Sequence, residues 1–130
     1  MTRVLLLLAA AGCAGGSYRV EGPGGGRYGF PCSRLERDDR GWRLEMWGNP
    51  ADPVRVELVL PEAIEEGGSY FVGAGGCAFR AGRGFGPASH GFCGRVTVDR
   101  WTPSPASIEG RYWCQTEHGV AHGGFRARGR

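Results

Sequence analysis

Apolar residues recur at every second position through this chain, and that period commits it to strands. Trp42, Leu44 and Met46 alternate with Arg43, Glu45 and Trp47. Val54, Val56, Leu58 and Leu60 alternate with Arg55, Glu57 and Val59, and Val96 and Val98 alternate with Arg95, Thr97 and Asp99. A helix buries a face that repeats about every 3.6 residues, whereas successive side chains of a strand point to opposite sides of the sheet. Further strands are predicted at 28–32, 70–73, 77–81, 108–114 and 120–128. The strings DDRG, GNPADP, EEGG, GAGG, TPSPAS and EHG between them carry turn chemistry. Residues 61–66 give a helical candidate of a single turn. Short strands joined by tight turns predict an all-β protein, a small antiparallel β-sandwich or barrel, stapled by disulfides.

The need for staples comes from composition. With 25 glycines and 8 prolines in 130 residues, the chain approaches the composition of disordered sequences. Against disorder stand 4 Trp, 4 Tyr and 6 Phe, together with cysteines able to pair. The expectation is a folded domain with a thin core that leans on cross-links. All 16 basic residues are arginine, against 13 acids. That small and evenly spread excess excludes the strong basic stripe of a nucleic-acid protein.

The N-terminus reads MTRVLLLLAAAGC, one positive charge followed by an apolar run over 4–11. A membrane-spanning helix needs about 20 apolar residues, so this run fits a secretory signal peptide. The stretch Ala10-Ala11-Gly12-Cys13 resembles the lipobox of bacterial lipoproteins. That resemblance implies cleavage before Cys13, a lipid on its sulfur and residence in the outer membrane or at the cell surface of a bacterium. It also accounts for the odd count of 5 cysteines, because Cys32, Cys77, Cys93 and Cys114 remain as an even set in an oxidising compartment. The expected organisation is a signal peptide over 1–12, a lipidated cysteine with a flexible tether over 13–26, and a single β-domain over 27–130. The tether, AGGSYRVEGPGGG after the cysteine, would reach roughly 20 Å.

In the last third, a strand with alternating valines leads to Gly110, Tyr112 and Cys114, and then to Gly124 and Phe125. This pattern is similar to that of small secreted bacterial lipoprotein domains of unknown function. It covers about 35 residues and implies the fold and setting, with no active site.

Four cysteines allow three pairings, of which Cys77–Cys93 and Cys32–Cys114 are favoured; the sequence alone does not fix them. No CxxC spacing points to zinc. His118 and His122 are four apart in EHGVAH, but Gly119 marks a turn there, so they do not share a helical face. GGGRYG matches GxGxxG by letter and lacks the flanking strand and helix. No nucleophile motif or carboxylate pair stands out, so no catalytic residue, metal or cofactor is expected. Trp42 falls on the core face; Trp47 and Trp113 fall on the charged faces, where a tryptophan either caps the fold or binds. Residues 81–91, AGRGFGPASHG, carry no acid and predict a long loop. Within it Arg83, Phe85 and His90 are candidate contacts for an anionic partner. The expected function is a lipid-anchored, non-enzymatic binding or structural module of the envelope. Its partners would be the membrane, through Cys13, and an anionic envelope or protein partner, with no nucleic acid. The rivals are an inhibitor of an extracellular hydrolase such as lysozyme and, behind it, a metal-dependent hydrolase using the histidines.

Overall fold

The computed structural model describes residues 15–21, 27–48, 54–83 and 88–129. They form β1 (Gly16–Glu21), β2 (Arg27–Phe30), β3 (Cys32–Asp38), β4 (Gly41–Trp47), β5 (Val54–Leu60) and β6 (Ser69–Val72). There follow β7 (Ala78–Arg83), β8 (Ser89–His90), β9 (Cys93–Pro103), β10 (Ala106–Thr116) and β11 (Gly119–Arg128). The protein is all-β, with no helix among the described residues. Two antiparallel sheets result, ordered β2-β1-β11-β10-β9-β6 and β3-β4-β5-β7-β8.

The period of two decides what each sheet buries. Leu44, Met46, Val56, Leu58 and Phe79 of the five-stranded sheet join Val96, Val98, Ile108 and Tyr112 of the six-stranded one in a single core. Each fully buried aliphatic side chain stabilises by about 1.5–3 kcal/mol relative to exposure. Trp42 packs against this core, its ring meeting that of Trp101 edge-on at 5.0 Å. Isolated parallel bridges, Leu35 with Gly129 and Val72 with Cys77, link the two sheets at their margins. The DDRG turn forms as its chemistry requires: the Arg40 amide donates to Asp38 Oδ1 at 2.9 Å, and Gly41 takes a φ of 136° that side-chain-bearing residues rarely adopt.

Several expectations are corrected. The strand expected at 28–32 breaks at Pro31, where the chain passes from β2 in one sheet to β3 in the other. β3 itself was not foreseen, because its outward side is the charged series Arg34 and Glu36; this suits an edge strand, whose charges discourage further pairing. Residues 61–66 form no helix; Ile64 is buried and the Gly68 amide closes a turn onto the Glu65 carbonyl at 2.9 Å. Of the described part of the expected tether, 15–21, residues 16–21 are strand β1, hydrogen-bonded between β2 and β11, so the folded domain includes them. In the expected loop over 81–91, residues 84–87 lie outside the described ones, and on either side β7 runs to Arg83 and β8 pairs back on it, Ala81 with Ser89 and Arg80 with His90.

The disulfides are also absent from the structure among the described residues. Cys32 lies on the same side of β3 as Arg34 and Glu36, away from the core, whereas Cys114 is wholly buried on the inward side of β10. A bridge needs Cβ atoms within about 4.5 Å and facing each other, so Cys32–Cys114 is disfavoured by orientation. Cys77 is likewise buried and inward, while Cys93 shares the outward side of β9 with Arg95.

Candidate functional site

The outward face of the six-stranded sheet collects side chains that are far apart in sequence. Inward positions of β10 are Ile108, Gly110, Tyr112 and Cys114, which turns Arg111, Trp113 and Gln115 outward. The same alternation turns Arg95 and Thr97 outward on β9, His122 and Gly124 on β11, and Ser17 and Arg19 on β1. Register then aligns them. Arg19 pairs with His122, His122 with Trp113, Trp113 with Arg95, and Arg95 with Phe71 of β6. One row therefore crosses five strands, roughly 19 Å at the usual strand spacing. The adjacent row runs from Gly124 through Arg111 and Thr97 to Ser69.

Glycine shapes the surface between them. A Cβ on Gly123 would collide with the Ser17 carbonyl and stand 2.8 Å from the Tyr112 hydroxyl. Without it, the Tyr112 hydroxyl reaches across β11 to donate to the Ser17 carbonyl at 2.8 Å. Gly124 beside it presents no side chain outward, and its amide donates to Ser17 Oγ at 3.1 Å. The result is an open depression of about 430 Å³ bounded by Trp113, Arg95, Arg111, His122, Thr97 and Ser17.

Its electrostatics are uneven. Arg111 meets Asp99 at 3.4 Å and Arg126 meets Glu109 at 3.4 Å. Arg95 donates to Ser69 Oγ at 3.0 Å, and among the described residues neither Arg95 nor Arg19 has a carboxylate at ion-pair distance. Trp113 is 47% exposed and Phe71 50%. The outward face of the five-stranded sheet is the opposite case. There the buried Glu45 carboxylate is met by Arg43 at 3.3 Å, Arg34 at 3.5 Å and Arg55 at 3.9 Å, and Glu36 takes Arg43 and Arg34. The hydrogen bond that Arg43 donates to Glu36, helped by the Glu45 charge, raises the Arg43 pKa above its ordinary value. Trp47, on this face, already has Arg34 over its ring at 6.0 Å.

A second cluster ties β8 to the β10–β11 turn. The His90 amide donates to Glu117 Oε1 at 2.6 Å, and Ser89 Oγ lies 2.6 Å from His118 Nδ1. Backbone amides, that of Glu117 itself and then that of His90, hold the Glu117 carboxyl below its ordinary pKa. These contacts dock the hairpin against the turn. The pair escaped sequence reading because Ser89 and His118 stand 29 residues apart.

The expected contact residues are therefore not one site. Trp113 lies on the six-stranded sheet and Trp47 on the other, both facing away from the core; His90 is exposed on β8. Arg83 ends β7 opposite Val54, and Phe85, like Cys13, lies outside the described residues. Arg19, Arg95, Arg111 and Phe71 were missed, and His122 was weighed only beside His118 as a metal ligand. Only Trp113's side of its strand was legible in advance, from its alternation with Tyr112 and Cys114.

Fold and face define an all-β domain of two antiparallel sheets with a cationic aromatic surface on one of them. No family model, curated protein or solved structure matches the chain.

Proposed function

We propose that this is a lipid-anchored envelope or surface protein whose domain, two sheets closed as a sandwich, binds a partner rather than catalysing a reaction. The observation that carries the binding role is the Arg19–His122–Trp113–Arg95–Phe71 row, which exposes large aromatics beside arginines that carry no carboxylate among the described residues. Exposed aromatics with arginine are enriched where surfaces make contacts. The anchor reading rests on the short apolar run ending in AAGC.

Two measurements test this reading. After a salt wash that strips charge-based binding, Cys13→Ala should leave the membrane fraction for the soluble one, and a variant that still pellets would refute lipidation. That soluble variant, mixed with isolated envelopes of the cells that make it, should sediment with them; a protein left wholly in the supernatant would count against a binding role.

We also take Cys77 and Cys114, both buried in the core that the two sheets share, to be the cysteines that pair after export. Alkylation of the denatured, unreduced protein should then label neither Cys77 nor Cys114. Reactive thiols at Cys77 or Cys114 under those conditions would mean that no bridge holds them.

A further inference from the structure

We infer that the face around Trp113 takes a carboxylated glycan, a chain of pyranose rings bearing uronate-type carboxylates; this rests on the binding reading above. Three observations converge on that chemistry. Arg95 uses a guanidinium donor on the Ser69 hydroxyl at 3.0 Å, and its planar fork offers further N–H groups that match a carboxylate. Trp113, its direct cross-strand neighbour, presents a half-exposed apolar ring surface against which the C–H face of a sugar can lie. Thr97 and Ser17 add neutral hydroxyls at the margins of a depression whose volume, about 430 Å³, is within the range of small-ligand sites and is open along the row.

The location separates a glycan from an acidic peptide. A peptide recognised as an added strand needs the free N–H and C=O groups of a sheet edge. Trp113 and Arg95 stand on β10 and β9, which are paired on both sides, so only side chains are on offer. The compensated arginines over Glu45 on the other sheet make the contrast internal to the molecule.

The test titrates the soluble Cys13→Ala protein with oligogalacturonate and with the same oligomer methyl-esterified at its carboxyls, read by calorimetry and tryptophan fluorescence. The acid should bind, and the ester about tenfold more weakly or worse, the scale of losing a charge-assisted hydrogen bond. Trp113→Ala and Arg95→Gln should each weaken binding of the acid by about tenfold. Trp47→Ala, on the other sheet, should leave it unchanged. Circular dichroism establishes that each variant is folded, and Arg95→Gln carries the test should Trp113→Ala fail to fold. Equal binding of acid and ester, full affinity in both folded variants, or no binding of either oligogalacturonate or oligomannuronate would overturn the assignment. Tighter binding of polyglutamate than of either uronate would also overturn it, in favour of an acidic protein. If envelopes retain the protein while both uronates fail, the ligand class falls and the binding role stands; loss of both removes the binding role itself.

Discussion

Taking the reduced protein from pH 9 to pH 12 should unfold it. Burial pushes the Cys77 thiol up to about 11 and the Cys114 thiol up to about 12. Tyr18 is raised to about 12, first by burial and then by the neighbouring Cys114 and Tyr28, and burial carries Tyr112 well above its ordinary value. All four are neutral in the folded core. In the unfolded chain the thiols and phenols lose their protons at about 9 to 10. Between those values and the folded ones the unfolded state binds fewer protons, so stability falls as pH rises; below pH 9 the full contribution is present. One pKa unit corresponds to about 1.4 kcal/mol, and four groups acting together approach the 5–15 kcal/mol that holds a typical domain. Urea midpoints by circular dichroism should be flat from pH 7 to 9 and then drop steeply. Tyr18→Phe, which removes one titrating hydroxyl, should move the alkaline transition upward. Tyrosinate absorbance from all 4 tyrosines at ordinary pH in a domain that stays folded would contradict this account.

Gly94→Ala should cost about 3 kcal/mol or more and lower Tm by roughly 10–20 °C. Gly94 is buried on β9, opposite Cys114 of β10 and Val72 of β6. A Cβ there would fall on the Trp113 carbonyl oxygen and stand 2.5 Å from the Cys114 Cα, both backbone atoms of a paired strand. No rotamer change relieves that contact, so the β10–β9–β6 ladder has to open. Gly29→Ala is the control, because a Cβ there meets nothing within 4 Å. Thermal unfolding of the two variants side by side checks the prediction, and equal Tm values would show that the ladder gives way cheaply.

What the sequence revealed and what it hid follow one physical line. β4 and β5 were legible because Leu44, Met46, Val56 and Leu58 report burial by their own chemistry, every second residue. β1 was hidden because its glycine resembles linker composition. A Cβ on Gly16 would strike Met46 Sδ and the Gly124 carbonyl, so this glycine answers to close packing between sheets and not to flexibility. The same ambiguity disguised the end of β7 and all of β8, where a Cβ on Gly82 would stand 3.1 Å from the Ala88 Cα. The candidate face was hidden for another reason. Its members share no local pattern, and only strand order and register put Arg19, His122, Trp113, Arg95 and Phe71 in one line.

Strand β1 begins three residues after Cys13. Extended backbone covers at most about 3.6 Å per residue, so about 11 Å of chain separates that cysteine from the sheet. If Cys13 carries the lipid, the domain has almost no leash, and the six-stranded sheet stands at the headgroups with the Gly16 end of β1 lowest. Phe125 is aligned with Gly16, which places Arg126 and Arg128 at the same low end. The row through Trp113 crosses the strands three residues higher, about 10 Å up. A sheet mounted upright in this way would hold a polymer flat along the bilayer, and only material lying close to the membrane surface could reach it.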